Sequence, residues 1–228
     1  MSIRDHLRRV RCFLRDIRRI RRSYRRLFGR YPRLLRPRRF TEHIQQQKLR
    51  CRSPLYTHIT DKLAVRDFVR DRVGPHILNE LCDTWDTADA IEPDTLPAAF
   101  VLKPTHGSGW VIVCPDRDAL DWPAVRAKLS GWLARSYYDT WPRGEYAYHD
   151  IPPRILCERL LTSGDGELWD YKIFCFHGEP RLVQVDRGRF TDHRRDLFDL
   201  SWERLPFDFK LPPGDPPPPR PEPLDEML

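Results

Sequence analysis

Residues 100–113 carry the pattern that most constrains how this chain can fold. Two apolar runs flank a turn of small residues there, and a single lysine, Lys103, stands at the mouth of the turn. Such a pattern predicts two strands joined as a β-hairpin. Because glycine has no Cβ, the backbone N–H groups around Gly107 and Gly109 can approach an anion closely, and Lys103 adds a charge suited to phosphate. The segment therefore predicts a hairpin that closes over a polyphosphate, and an ordinary structural hairpin is the alternative.

The net charge of +7 divides between two oppositely charged parts of the chain. Residues 1–39 contain sixteen arginines and two aspartates, a net of +14, so the rest of the chain carries a net of −7. Apolar residues recur every three or four positions between Ile3 and Leu27, which predicts a basic amphipathic helix. This helix would dock on the body, or bind an anionic membrane or acidic partner, or contact nucleic acid. Nucleic acid is the least favoured, since no base-stacking aromatic motif follows.

The cysteine pattern and the hydropathy bear on the location of the protein. None of the six cysteines forms a Cys-x-x-Cys pair, so a zinc site is not expected. We expect buried free thiols instead, as in proteins of the reducing cytosol. No apolar run approaches the roughly 18 residues of a membrane span. The N-terminus lacks the apolar core of a secretory signal. These features predict a cytoplasmic protein, held peripherally at the inner face of the membrane by its basic arm.

Three segments are expected along the chain: an arginine-rich helical arm at 1–39, an α+β body at 40–210 and a proline-rich tail at 211–228. Within the tail, residues 212–223 are expected to form an extended linker. The elements predicted in the body are helices at 41–50, 60–69 and 121–138, strands at 77–81 and 154–161, and two hairpins, at 100–114 and 170–186. Thr41, and Thr60 or Asp61, are the expected caps of the first two helices.

A series of short motifs in this body resembles the TupA-like branch of the ATP-grasp superfamily, which is named for teichuronopeptide biosynthesis. The resemblance runs from about residue 40 to the end of the sequence and leaves the arm outside. The motifs occur in this order: Asp61-Lys62, Leu102-Lys103, His106-Gly107-Ser108-Gly109-Trp110, Cys157-Glu158-Arg159-Leu160, Asp170-Tyr171-Lys172-Ile173-Phe174-Cys175-Phe176-His177-Gly178-Glu179-Pro180, Val183-Gln184-Val185-Asp186 and Arg189-Phe190. The resemblance implies an ATP-grasp fold, in which two α+β subdomains clasp a nucleotide.

The resemblance also implies a role for each matching residue in binding ATP. Lys62 and Lys103 would contact the phosphates, and Gly107, Ser108 and Gly109 would form a flexible lid over them. Glu158 would face adenine and ribose. Two structural alternatives stay open: Lys62 as an ordinary solvent-facing helix lysine, and Glu158 as the partner of a cation. An unpaired ammonium in an apolar strand is costly, so Lys103 favours the binding role.

Further residues are assigned to the nucleotide cleft and to catalysis by the same resemblance. Asp170 and Lys172 would line the cleft, Lys172 and Arg189 are the candidate catalytic residues, and Arg189 would approach the phosphates or an acyl phosphate. The structural alternatives are an Asp170–Lys172 ion pair and an Asp186–Arg189 salt bridge in a turn. His106 is open between a general base and a group that orients the backbone.

Several activities are compatible with the resemblance. Most ATP-grasp enzymes activate a carboxylate as an acyl phosphate and join it to an amine, using ATP and Mg²⁺. The metal-binding strands of the family lie further along than this sequence reaches, so a C-terminally incomplete member without metal ligands of its own is expected. The first hypothesis is a carboxylate–amine ligase, or a remnant of one, that acts on a cell-surface polysaccharide precursor. The alternatives are a non-catalytic nucleotide-fold module recruited by the arm, and a glycosyltransferase, a label often given to the family.

Overall fold

The computed structural model describes residues 3–50, 52–141, 143–162, 168–189 and 191–228, and it combines helices with two antiparallel sheets. The α+β class predicted from the sequence is therefore confirmed. Contacts within the chain define two compact units, residues 1–160 and residues 161–228. The first unit holds helices α1 (Ile3–Phe28), α2 (Phe40–Arg50), α3 (Pro54–Thr60), α4 (Ala64–Arg72), α5 (Trp122–Leu133) and α6 (Tyr137–Thr140). The expected division at 39/40 and 210/211 stays a prediction.

The first sheet contains β1 (Leu81–Trp85), β2 (Phe100–Pro104), β3 (Ile112–Cys114) and β4 (Ile155–Arg159), in the order β1-β4-β2-β3. The hairpin expected at 100–114 is confirmed, and Val101 lies opposite Val113 in its register. Leu102 of β2 and Leu129 of α5 are fully buried in the core that this sheet shares with α5. The strand expected at 77–81 was wrong: Pro75–Ile77 is a 3₁₀ turn, because proline fixes φ and favours a helical start.

Helix α1 packs against the rest of the first unit through a face that shares Ile20 and Tyr24 with the predicted apolar stripe. Cys12, Asp16, Ile20 and Tyr24, each one helical turn apart, are its buried residues. The Asp16 carboxylate accepts hydrogen bonds from the Tyr138 hydroxyl, at 2.5 Å, and from the Arg52 guanidinium. Among the stripe residues whose burial the structure describes, Ile20 and Tyr24 are buried, and Leu7, Val10, Leu14 and Leu27 are exposed. A polar anchor therefore fixes this helix, and much of its apolar stripe is left at the surface.

The start of α2 also differs from the prediction. The helix begins at Phe40, so Thr41 lies inside it rather than at its cap. The Thr41 hydroxyl instead bonds the Tyr24 hydroxyl at 2.9 Å. The buried Glu42 carboxylate accepts the backbone N–H groups of Arg38 and Arg39 just before the helix. These bonds lower the pKa of Glu42 to about 2.

The second unit is built on β5 (Asp170–Phe176), β6 (Glu179–Arg187) and β7 (Arg194–Phe198), paired in that order. The hairpin predicted at 170–186 is confirmed. Its two-residue turn has positive φ at His177 (55°) and Gly178 (85°), the geometry that matches the twist of antiparallel strands. Strand β7 was not predicted. Cys175, which the sequence places in an apolar run, is exposed, and it is a free thiol like the other described cysteines.

The proline-rich segment packs on this sheet instead of forming a free linker, so that expectation was wrong. The carbonyl of Pro212 accepts the backbone N–H of Arg195 at 3.0 Å, and the carbonyl of Pro218 accepts the Trp202 indole N–H at 3.1 Å. A short helix, α7 (Leu224–Met227), follows, and Leu224 is fully buried in the core of this unit. Proline has a backbone carbonyl that accepts a hydrogen bond but no N–H group that needs an acceptor. A proline-rich segment can therefore cover a sheet edge.

Candidate functional site

Lys62 lies in the turn between α3 and α4, not on a helix as the sequence predicted. Its ammonium donates to the Pro104 carbonyl at 3.2 Å and to the Gly107 carbonyl, and its backbone N–H points to the Thr105 carbonyl at 3.4 Å. The Asp61 carboxylate accepts the N–H groups that open α4, which fixes the turn. Lys62 is thus held against the end of β2, and the alternative of a solvent-facing helix lysine is wrong.

The surroundings of Lys62 strongly perturb its titration. Burial, and then the positive charge of Lys103, lower the pKa of Lys62 to about 8, although Asp61 and Glu158 act in the opposite direction. Electrostatic influence of this kind requires the two ammonium groups to be near each other. The Lys62 ammonium also contacts the carbonyl of Pro104, the residue after Lys103, so both lysines lie in one region of the first unit, and their joint binding of phosphate stays a prediction.

Lys103 and Glu158 form an ion pair on adjacent strands. Val101 of β2 lies opposite Glu158 of β4, so Lys103, two residues along on the same face, is a diagonal neighbour of Glu158. The ammonium is 2.6 Å from the carboxylate, which also accepts from Arg66 at 3.0 Å. Glu158 thus meets two cations in this structure. Its contact with adenine and ribose stays a prediction.

The turn at Gly107, Ser108 and Gly109, called the glycine turn below, is anchored on one side. A Cβ at Gly107 would collide with the indole ring of Trp110, and Gly109 has φ of +74°. Trp110 in turn stacks on Trp132 of α5, with ring centroids 6.1 Å apart. Glycine is thus required at 107 for close packing and is favoured at 109 by the backbone conformation. The role of this turn as a lid over phosphates stays a prediction.

His106 anchors the polypeptide instead of facing a cleft. It is buried, and its Nε2–H lies 3.1 Å from the carbonyls of both Trp132 and Arg135 at the end of α5. Burial lowers the pKa of His106, although the hydrogen bonds to these two carbonyls act in the opposite direction. Of its two roles considered from the sequence, the geometry supports the one that orients the backbone.

The second unit carries its own charged cluster, centred on Asp186. This carboxylate is almost fully buried and accepts from Lys172 at 2.6 Å, Arg195 at 2.6 Å and Gln184 at 2.8 Å. Burial by itself raises the pKa of Asp186, but the hydrogen bonds outweigh it and hold the pKa well below its usual range. Arg195 was missed by sequence reasoning, because the strand that places it was not predicted.

Of the two structural alternatives for this unit, the Asp170–Lys172 ion pair is present as a long contact, and the Asp186–Arg189 salt bridge is not what the structure shows. Arg189 pairs with Asp170, not with Asp186. The Lys172 ammonium is 3.9 Å from Asp170 but 2.6 Å from Asp186, so Asp186 is its main partner. The candidate carboxylates Glu158, Asp170 and Asp186 therefore all face cations.

Two open clefts adjoin Lys62 in the first unit. One, of about 660 Å³, includes Asp61, Arg66 and Arg154 in its lining. The other, of about 470 Å³, includes Thr60 and Ser108. Because Asp61 lines the first and Thr60 the second, the turn that carries Lys62 separates the two.

An α+β unit with paired lysines beside a glycine turn is the kind of arrangement that ATP-grasp proteins use for nucleotides. The chain belongs to the TupA-like ATPgrasp family, whose model matches residues 42–217. The family predicted from the sequence is confirmed. No curated protein and no solved structure matches the chain.

Family membership implies ATP with a divalent metal. Among the described residues, no three histidine, cysteine or carboxylate side chains are placed to hold a metal ion together. Glu158 and Asp186, the most buried carboxylates near the candidate lysines of each unit, already face cations, so the donor set does not fit a preassembled metal site. Within the described part of the chain, no helix has the length and apolar character needed to cross a bilayer.

Proposed function

We propose that this protein binds ATP through Lys62 and Lys103 and acts as an ATP-dependent carboxylate–amine ligase. The observation that carries the proposal is the convergence of two ammonium groups beside the glycine turn, where the charge of Lys103 and burial together disfavour protonated Lys62. A partly buried excess of positive charge is suited to a polyphosphate. Perturbed titratable groups of this kind are concentrated at functional sites.

The proposed reaction has two steps. A carboxylate oxygen of the substrate attacks the γ-phosphorus of ATP, the bond to the β–γ bridging oxygen breaks, and ADP leaves. The nitrogen of an amine then attacks the acyl carbon, phosphate departs with the bonding electrons, and the amine loses a proton to solvent. Phosphoryl transfer depends mainly on positioned positive charge, which Lys62 and Lys103 supply to the phosphate oxygens. Lys172 and Arg189, in the second unit, stay the candidate catalytic residues that the resemblance implies.

The proposed substrate class is a precursor of a cell-surface polysaccharide of the teichuronopeptide type. This assignment rests on the family and on no contact within the chain. The matching assay is Mg²⁺-dependent release of ADP in the presence of amino acid and uronic acid acceptors. Release that depends on both a carboxylate and an amine supports the ligase. ADP binding without release across such a panel favours the non-catalytic alternative.

Nucleotide binding is tested most directly with lysine variants. Lys62→Met and Lys103→Met are each expected to weaken ADP binding at least tenfold by isothermal titration calorimetry, since charge-assisted contacts to phosphate are lost. Lys128→Met, on the exposed face of α5, is the matched control and should bind as the wild type does. Affinities of the first two variants equal to that of the control would overturn the proposed role of the lysines.

We also propose that α1 holds the protein at an anionic membrane surface, at the cytosolic side. Leu7, Val10 and Leu14 follow one another at spacings of three and four, and they are 52%, 42% and 48% exposed. Arginines are frequent beside them in the sequence, while a different face of the helix is buried. Exposed apolar residues flanked by arginine are typical of helices that lie in a membrane interface.

Membrane binding is tested by co-sedimentation with vesicles. Vesicles that contain phosphatidylserine should retain the wild type, and pure phosphatidylcholine vesicles should not. Leu7→Glu combined with Leu14→Glu should abolish retention without unfolding the protein, since both side chains are exposed. Equal retention of wild type and double variant would refute the assignment. Point variants are preferable to deletion of the arm, because Asp16 connects α1 to Tyr138 of the body.

A further inference from the structure

A pocket of about 470 Å³ lies beside the glycine turn, and four tyrosines, Tyr56, Tyr137, Tyr146 and Tyr148, contribute to its wall. It is called the tyrosine pocket below. The rings of Tyr137 and Tyr148 are 4.5 Å apart and tilted by 50°. The volume lies in the range of small-molecule sites, and such sites combine aromatic walls with a few placed polar groups. The pocket touches the roles proposed above through Ser108 of the glycine turn.

The polar groups of the tyrosine pocket indicate the chemistry of its occupant. Gln47, Thr60 and Ser108 offer an amide and two hydroxyl groups at the wall. Two cations, Lys48 and Arg143, face a single acid, Glu145, which leaves one positive charge in excess. The Lys48 ammonium is 3.5 Å from Glu145 and 3.4 Å from the Arg143 carbonyl, and because an ammonium has three donors it can also bind an anion. Flat aromatic faces, hydroxyl partners and one net positive charge suit a polyhydroxylated ring that carries one carboxylate.

The position of the pocket connects it to the candidate phosphate site. Thr60 precedes Lys62 by two residues, and Ser108 follows Gly107, whose carbonyl accepts from the Lys62 ammonium. A carboxylate held in the pocket would therefore border the region assigned to the phosphates. We propose that the tyrosine pocket binds the carboxylate-bearing saccharide that is activated by ATP. This inference rests on the proposed ligase function and assigns its acid substrate to a site.

Helix α1 supports the wall of the pocket from behind. Gly144 has φ of +67°, and a Cβ there would come within 2.9 Å of Ile20. The Arg52 guanidinium, which also bonds Asp16, lies 4.3 Å from the centre of the Tyr146 ring. These contacts hold the segment that carries Tyr146 and Tyr148 in place before any ligand arrives. A preformed wall reduces the entropic cost of binding.

The test uses the full chain and two probes, methyl β-D-glucuronoside and the neutral methyl β-D-glucoside, followed by saturation-transfer difference NMR. The glucuronoside is expected to bind, and the glucoside at least tenfold more weakly. Lys48→Met should reduce this preference for the charged probe, and Tyr56→Ala should weaken both probes. Tyr56 is 37% exposed, so its substitution should leave the fold intact, which thermal unfolding checks. Tyr31→Ala, an exposed tyrosine outside the pocket, is the matched control.

The outcomes separate this inference from the proposed function. Failure of the glucuronoside to bind a chain that binds ADP would overturn the saccharide assignment and leave nucleotide binding in place. Weaker ADP binding in Tyr56→Ala, with no effect on the saccharide, would identify the pocket as the site of the nucleotide base and also overturn it. Binding of the glucuronoside that depends on Lys48 and Tyr56 supports it. Failure of the ligase function would show instead as ADP binding without ADP release that depends on both a carboxylate and an amine.

Discussion

The pKa of Lys62 makes ADP binding sensitive to pH in a range where few other side chains titrate. In the free protein, burial and the charge of Lys103 lower this pKa to about 8. Phosphate oxygens in contact with the ammonium would stabilise its charged form and raise the pKa again. Binding would therefore be coupled to uptake of a proton at Lys62, and affinity should fall as pH rises above about 8.

The size of the effect follows from the protonated fraction of Lys62. With a pKa of about 8, roughly three quarters of the free protein carries the charge at about pH 7.5, and about 3% does at about pH 9.5. If the complex retains the proton throughout this range, the affinity for ADP should drop about 25-fold. The terminal phosphate of ADP is ionised over the whole range, so the nucleotide itself contributes little.

Calorimetric titration of ADP across this pH range measures the effect, and two substitutions control it. Lys62→Met should bind weakly and with little pH dependence, because the titrating group is gone. Lys62→Arg keeps its charge over the whole range, so its affinity should also stay nearly constant. A wild-type affinity that does not change between these pH values, or a change that persists in Lys62→Met, would refute the reasoning.

The same titration has the opposite effect on stability when no nucleotide is present. The pKa of Lys62 is lower in the folded state than the ordinary value of 10.5, so the unfolded chain binds more protons between about pH 8 and 10.5. The free energy of unfolding should therefore rise with pH through that window, by up to about 3 kcal/mol. Comparison of urea unfolding in wild type and Lys62→Met isolates this contribution. A rise of equal size in both proteins would assign it to other groups.

Three further predictions concern the framework that holds these sites. Asp16→Ala should destabilise the protein by about 3–5 kcal/mol in urea unfolding, since it leaves Arg52 and the Tyr138 hydroxyl without a buried partner. The control Asp139→Ala, at the surface, should destabilise it by about 1 kcal/mol or less. Leu224→Ala should lower the free energy of unfolding by about 2–5 kcal/mol. A change near zero would indicate that the proline-rich segment is a linker after all. The pKa of Asp186 is lowered by folding, so its stabilising effect should be present above about pH 4 and be lost as pH falls below, with Asp186→Asn losing this acid dependence in circular dichroism.

The sequence predicted the elements whose signals are local. The hairpin at 100–114 has apolar runs on both sides of its glycines, and the hairpin at 170–186 has a turn dipeptide that accepts positive φ. Strand β7 was not predicted because its apolar residues, Leu197 and Phe198, are few and follow three charged residues. The proline-rich segment was wrongly predicted to be a linker. Its composition shows that it cannot form a helix or a strand interior, but it does not show which N–H groups its carbonyls accept.

The candidate site shows the same limit at the level of single contacts. Motifs indicated Lys62, Lys103 and Glu158, but nothing local states that Arg66 would share the Glu158 carboxylate, or that Lys62 would reach the Gly107 carbonyl. For α1, spacing predicted an amphipathic helix, and the buried face shares Ile20 and Tyr24 with the predicted stripe but also includes Cys12 and Asp16. A single charged residue, Asp16, decides that orientation through partners far away in the sequence, which periodicity cannot reveal.

The charges around Lys62 favour a functional explanation over a structural one. Lys62, Lys103 and Arg66 bring three positive charges into a partly buried region, and Glu158 is the carboxylate that pairs with two of them. Asp61 is engaged at the start of α4, so it compensates Lys62 only in part. With fewer cations here the fold would be more stable, because the attraction within a buried ion pair seldom exceeds the free energy lost when its charges leave water. An excess of positive charge beside a glycine turn is instead balanced when a polyanion binds, and the cost of keeping Lys62 charged is then recovered as affinity.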